Sequence, residues 1–186
     1  MTDQELIAEV LSGSRASQEI LVRRHYKLVY GFLYRMTGDK ELALDLTQET
    51  FIKVLNNISK YKGSAEFKSW VLTIASNHAK DYFKSKAHRN SRNTYELQER
   101  DAKTEKSVSS IFEKNEKRKE IKEALDELPD FQREAILLKY YNDMKISEIA
   151  RVTNATESTV KSRLKQGLGK LKLYLNRGEM DERNTN

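Results

Sequence analysis

The chain has 186 residues, 33% of them charged, with seven glycines, one proline and no cysteine. That composition excludes disulfides, thiolate metal sites and a cysteine nucleophile, and it offers too little turn chemistry for a many-stranded sheet. An all-α protein is expected, with one ordinary domain or two small ones and modest cores. The start, Met1-Thr2-Asp3-Gln4-Glu5, is acidic rather than signal-like, and no run nears the ~18 apolar residues that span a bilayer, so a soluble, cytoplasmic protein is expected. The net charge of +6 is concentrated. Residues 58–92 hold eight Lys and Arg against two Asp and Glu, and residues 151–177 hold seven against one, whereas 119–150 hold five against eight. Two separate basic blocks suit two contact sites on one polyanion.

Residues 3–36 read as two helices. Leu6, Ile7, Val10 and Leu11 make the first apolar face, broken at Ser12-Gly13-Ser14. Ser17 is the expected N-cap of the second, with Ile20, Leu21, Val29, Phe32 and Leu33 facing inward before Gly38-Asp39 ends it. A third helix is expected over about residues 40–58, with Phe51, Val54, Leu55 and Ile58 at core spacing. On it Asp45, Gln48 and Glu49 fall at i, i+3 and i+4 and share one face. That face is either simply solvated or a docking surface that meets a partner's cations through charge-assisted hydrogen bonds. Nothing nearby supplies the cleft, metal set or nucleophile of an acid–base pair.

Residues 56–66 read as a polar loop in which Lys60 and Lys62 flank Tyr61. Ser64 is the expected cap of the next helix, 67–86. There Trp70, Val71, Ile74, Ala75 and Tyr82 recur at three- and four-residue steps, and Lys68, Asn77, Lys80, Lys84 and Lys86 occupy the other faces. Lysines can meet phosphates, and the interleaved Phe67, Tyr82 and Phe83 can stack on bases, as single-stranded nucleic acid requires. An ordinary core helix with a solvated basic face fits the same pattern. From 87 to 118 the apolar periodicity is lost, and a flexible polar linker is expected. Its r.m.s. span of roughly 30 Å approaches one turn of DNA.

A second domain is expected over 119–177. Ile121, Leu125 and Leu128 form one stripe, stopped at Pro129. Asp130 is the expected cap of a helix whose core side chains are Phe131, Ala135, Ile136, Leu138 and Tyr140. After a break at Asn142-Asp143 come a short helix (Ile146, Ile149, Ala150, Val152), a turn at Thr153-Asn154-Ala155 and a last helix from about Thr156. This is the order of a helix-turn-helix. Val160, Leu164, Leu168 and Leu171 line one side of the last helix. Ser158, Lys161, Ser162, Lys165 and Gln166 line the other, with the chemistry to meet base edges and phosphates in a major groove. Arg163 flanks the apolar side, where a phosphate or an acidic neighbour would hold it. Gly167 and Gly169 each cost about 1 kcal/mol of helix propensity, so the helix is expected to end or fray early, followed by a mobile polar tail at 178–186.

Taken together, the chain resembles bacterial sigma factors of the extracytoplasmic-function (ECF) group, the form with only domains 2 and 4. The resemblance rests on Asp45-Leu46-Thr47-Gln48-Glu49-Thr50-Phe51, on Phe67-Lys68-Ser69-Trp70 with Ile74-Ala75-Ser76-Asn77 and Asp81-Tyr82, and on Glu127-Leu128-Pro129, Ile146-Ser147-Glu148-Ile149-Ala150 and Ser158-Thr159-Val160-Lys161-Ser162-Arg163. It implies a domain 2 over 1–86, a linker over 87–118 and a domain 4 over 119–177, in a protein that is not an enzyme and needs no cofactor, metal or small-molecule substrate. It implies that Asp45, Gln48, Glu49 and Phe51 bind the clamp helices of the largest subunit of core RNA polymerase, whose flap is a second contact. Lys60, Tyr61, Lys62, Asn77, Lys80 and Lys84 would open and recognise the −10 element, partly as single strand. Ser158, Lys161, Ser162, Arg163, Lys165 and Gln166 would read the −35 duplex, for a stress- or envelope-response regulon. Many members are held by an anti-sigma factor, often membrane-anchored. Thr156 and Ser158 stand where the family often has Pro and Gly, which predicts a different start to the recognition helix. Lysines stand where arginines are common and give point contacts rather than bidentate readout. A dimeric helix-turn-helix regulator acting alone would need neither the 45–51 face nor the aromatic-basic 67–86 helix. A nucleic-acid enzyme would need ligand spacing that His25, His78 and His88 do not have.

Overall fold

The computed structural model describes residues 1–63, 65–92 and 119–184, and every regular element among them is helical. α1 (Asp3–Leu11) opens with a reciprocal cap, in which Thr2 Oγ1 accepts from the Glu5 amide and the Glu5 carboxylate accepts from the Thr2 amide at 2.7 Å. α2 (Arg15–Thr37) starts one turn earlier than expected. Ser14 is its cap, accepting from the Ser17 amide, because the Ser17 hydroxyl is buried and bonded to Glu9 of α1. The buried stripe of α2 runs Ser17, Leu21, His25, Val29, Phe32 and Leu33, which leaves Ile20 facing solvent rather than inward. Gly38, at φ 69°, closes α2 in the left-handed region that glycine tolerates. Asp39 then caps α3 (Lys40–Asn56) by accepting from the Glu41 and Leu42 amides.

A 3-10 turn at Ile58–Lys60 leads toward α4 (Phe67–Arg92), which continues past the expected end near residue 86. The expected cap Ser64 and the linker from 93 to 118 lie outside the described residues. α4 is buried along two faces. Phe67, Val71, Ala75 and His78 form one, and Ser69, Leu72, Ser76 and Ala79 the other. The first packs into α2 and α3, the second meets the C-terminal helices. Leu72 lies outside the expected stripe because it belongs to this second face.

The second unit comprises α5 (119–126), α6 (Asp130–Ile136), α7 (Ile146–Thr153) and α8 (Glu157–Asn184). Asp130 does not cap α6. It is the first helical residue, after Pro129, and no side chain caps this end. α6 widens into a π-helical turn at Leu137–Tyr141, whose Leu137 carbonyl accepts from both the backbone and side-chain amides of Asn142. Tyr140, within the wider turn, is 59% exposed instead of buried, and Phe131 at the helix start is 47% exposed instead of buried, while Gln132, Arg133 and Glu134 are buried. Asn154, at φ 50°, makes the tight turn between α7 and α8, and Thr156 caps α8 by accepting from the Thr159 amide at 3.1 Å. Thr156 thus does at the helix start what a serine or threonine normally does, so the departure from Pro leaves an ordinary capped helix.

The two glycines do not end α8, and the expected mobile tail is helical as far as Asn184. No proline interrupts this run, and its Glu, Met and Arg are good helix formers. Gly167 has a packing reason to be glycine, since a Cβ there would sit 2.7 Å from Ile136 Cδ1. It lets α8 close on α6 beside Val160 and Leu164. Leu168 falls at the edge of this contact and is half-exposed.

The two units touch. The buried Arg133 guanidinium donates to the carbonyls of Leu125 (2.8 Å), Asp126 (2.9 Å) and Leu128 (3.0 Å), closing the turn after α5, and to Met36 at the end of α2 (2.8 Å). Arg35 lies 4.3 Å over the ring of Tyr141, and Lys122 lies 5.8 Å from that of Tyr34.

Candidate nucleic-acid interface

Three surfaces carry the residues singled out from the sequence. The first is a groove of about 510 Å³ between α2 and α3, whose walls include Val22, Tyr26, Gln48, Phe51 and Ile52. Phe51 is buried and stacks on Tyr26 at 6.1 Å, the start of an aromatic ladder that continues through Tyr30 to Tyr34. Ile52 is 58% exposed at its rim, an apolar contact that periodicity did not pick out. Asp45 is exposed outside the groove. Glu49 turns the other way and accepts from His78 Nε2 on α4 at 2.8 Å. The polar face of α3 is therefore divided, with Gln48 toward the groove and Glu49 toward α4. Burial pulls the His78 pKa below its ordinary value, helped by Lys53 and opposed by Glu49.

The second surface is α4 with the loop before it. Tyr61 folds back to donate to the Ala65 carbonyl at 2.5 Å and meets Phe67 and Trp70 at centroid distances of 5.3 and 5.4 Å. Burial raises its pKa, with Asp3 and Glu66 adding to the shift. This aromatic knot holds Lys60 and Lys62 outward, Lys60 bonding Asn57 Oδ1 at 2.7 Å. Beneath it His25, edge-on to Phe67 at 5.2 Å, pairs with Asp3, and Asp3 also pairs with Arg24. Burial lowers the His25 pKa more than Asp3 raises it. A cleft of about 210 Å³ opens between the loop (Lys60, Tyr61, Lys62), Trp70 and α7 (Glu148, Arg151). Along α4, Asn77 and Lys84 are exposed. Lys80 is engaged, its ammonium 3.0 Å from Glu134 of α6, which also accepts from Ser76. The six residues expected at one nucleic-acid site thus form a loop group and a helix group, flanked by α6 and α7.

The third surface is the outer face of α8. Ser158, Lys161, Ser162, Lys165 and Gln166 are all exposed, and Gln166 links Ser162 to Gln132 of α6 through bonds of 3.2 and 3.1 Å. Arg163, half-buried, lies with its guanidinium 5.5 Å from the Phe131 ring. The residues missed from the sequence are Ser76, His78, Arg133 and Glu134. A signal for the last two was present, because α6 runs into the unbroken apolar stretch Ala135-Ile136-Leu137-Leu138, which leaves no polar stripe to face water.

Among the described residues no group of His, Asp and Glu could hold a metal ion, and no helix is long and apolar enough to cross a membrane. The geometry is that of a two-domain helical DNA-binding protein, one domain ending in a helix-turn-helix. Residues 21–89 match Sigma-70 region 2 and residues 118–171 match Sigma-70, region 4. The chain is 34% identical over 158 residues to the ECF RNA polymerase sigma factor SigM of Bacillus subtilis (strain 168), covering 83% of this chain and 92% of that protein. It is 30% identical over 169 residues to the RNA polymerase sigma factor CarQ of Myxococcus xanthus, covering 91% and 95%. Its fold is similar to that of the sigma factor RpoE in complex with the anti-sigma factor NepR from Bartonella quintana, with a TM-score of 0.71 at 22% identity and coverage of 84% and 93%. The chain belongs to the ECF sigma factors, the sigma-70-family group with regions 2 and 4 only. It is a non-enzymatic transcription initiation factor.

Proposed function

We propose that this sigma factor docks core RNA polymerase through the α2–α3 groove and reads a bipartite promoter with its two basic surfaces. Gln48 and Phe51, with Asp45 and Glu49 beside them, meet the clamp helices of the largest subunit, and region 4 meets the flap. Lys60, Tyr61, Lys62, Asn77, Lys80 and Lys84 take the −10 element as it opens. Ser158, Lys161, Ser162, Lys165 and Gln166 read the −35 duplex, with Arg163 on the flank. The observation that carries this reading is the outer face of α8, where five hydroxyl, amide and ammonium side chains stand exposed on the second helix of a helix-turn-helix. We extend two further features to this chain. An anti-sigma factor is a partner, as in the RpoE–NepR complex, and the factor works in the cytoplasm on a stress- or envelope-response regulon.

Run-off transcription with core polymerase on genomic promoter fragments tests the reading. Promoter-dependent transcripts are expected only when the protein is present, and their absence from every fragment would overturn it. Lys161→Ala and Lys165→Ala should each lower the salt slope of duplex binding by about 0.9, the value of one lost phosphate contact. Unaltered slopes would remove these two side chains from the duplex site.

A further inference from the structure

Glu134 is the least expected side chain at the junction of the two regions. It lies on α6, is 1% exposed, and directs Oε1 at both the Ser76 hydroxyl and the Lys80 ammonium of α4. Its second oxygen, Oε2, is buried and has no hydrogen-bond partner among the described residues. A buried carboxylate with one oxygen unsatisfied is a costly way to hold two surfaces together, so this contact does not rest at an energetic optimum. The junction carries further polar contacts, Arg133 on the Met36 carbonyl, Arg35 over Tyr141 and a 3.4 Å contact from Ser69 to Glu148, beside the buried apolar Leu72 and Ala79 of α4. A junction that mixes polar and apolar contacts in this way opens more readily than a large, wholly apolar one.

The chemistry of the pair that receives Glu134 is specific. An ammonium and a hydroxyl one helical turn apart, converging on an oxygen of a two-oxygen anion, would serve a phosphodiester equally well. They sit beside the exposed Asn77 and Lys84, on the face that the proposed function assigns to the opened −10 strand.

From this geometry we infer that Ser76 and Lys80 form a phosphate site for single-stranded DNA, and that Glu134 occupies it in the closed chain as a built-in competitor. The inference rests on the proposed role of α4. Strand phosphate and Glu134 exclude one another, so strand binding and separation of α6 from α4 are one equilibrium. The free chain holds its strand-reading helix partly covered while the outer face of α8 stays open.

The test uses the full chain and a fluorescein-labelled, mixed-sequence single-stranded DNA of about 15 nucleotides, followed by anisotropy over a range of salt. Glu134→Gln keeps the shape and removes the charge. It is expected to tighten strand binding about tenfold, the effect of losing one charge-assisted competitor, and to steepen the salt slope by about 0.7, the value for one more phosphate neutralised on a single strand. Adding Lys80→Ala to Glu134→Gln should abolish both effects. Wild-type affinity and slope in a folded Glu134→Gln protein, or a tightening that survives Lys80→Ala, would overturn the inference. Should a thermal melt show Glu134→Gln unfolded, Tyr141→Ala loosens the same junction from its rim by removing the stacked Arg35 contact. Binding about two- to fivefold tighter is then expected, and unchanged binding would overturn the inference equally. Neither measurement needs polymerase. Failure of run-off transcription would count against the proposed function, and failure here against the competitor alone.

Discussion

α4 and α8 carry the two basic blocks of the chain, yet they are built in opposite ways. α8 packs one side onto α6 and α7 and leaves its serines, lysines and glutamine in water. α4 is buried along two faces, and the lysine nearest the second is held by Glu134. Composition alone would rate the two helices equally available to a polyanion. Burial and pairing leave the basic face of α8 open to water and tie the corresponding lysine of α4 to α6, which is the difference that the proposed duplex and strand sites build on.

The largest effect is expected from removing the side chain that ties the two regions together. Arg133→Ala would remove the guanidinium donor from the Asp126, Leu128 and Met36 carbonyls and leave the Leu125 carbonyl only the Leu128 amide. A loss of about 3 kcal/mol in unfolding free energy is expected, and a denaturation midpoint at the wild-type position would show that Arg133 does not couple the regions. The glycines of α8 come next. Gly167→Leu drives a side chain into Ile136 and should cost about 1–3 kcal/mol. Gly169→Ala meets nothing within 4 Å and should add about 1 kcal/mol. Opposite signs two residues apart would locate the packed side of α8, and equal signs would contradict it.

The smallest effect is with pH, and it falls on α4. His78 lies on that helix and His25 against its first residue, and burial holds both pKa values low. The folded chain then binds fewer protons than the unfolded chain, so stability is full above about pH 6.5 and declines as pH falls through the lowered values. The melting temperature should drop by about a few degrees between pH 7 and pH 5. His78→Gln should flatten part of that slope, and a slope unchanged by it would place the titration elsewhere.

Much of this was legible in the chain. The helix-turn-helix could be read because α7 and α8 are simple amphipaths joined by a turn residue, Asn154, at the expected place. That Asp45, Gln48 and Glu49 lie on the outside of α3 could be read from their helical spacing, but not that Gln48 alone of the three lines the groove while Glu49 pairs with His78 of α4. Features that depend on a second contact were not. α4 gave a weak pattern because Ser69 and Ser76 face α7 and α6 with hydroxyls, and a face buried through hydrogen bonds looks solvated in a sequence. Tyr140 was misread because the π turn leaves no mark in the spacing of apolar residues, and Phe131 because the first turn of α6 buries Gln132, Arg133 and Glu134 in its place. Gly167 was misread because propensity describes a helix alone, whereas its neighbour here is Ile136.

Trp70 is the only tryptophan of the chain. It lies half-buried against Tyr61 and Phe67 and lines the cleft whose far wall is α7. Water reaches its indole more freely if α7 draws away, and solvent polarity sets the colour of indole emission. The protein therefore carries its own optical reporter at the junction, readable without an attached dye, in the free chain or beside any partner that lacks tryptophan.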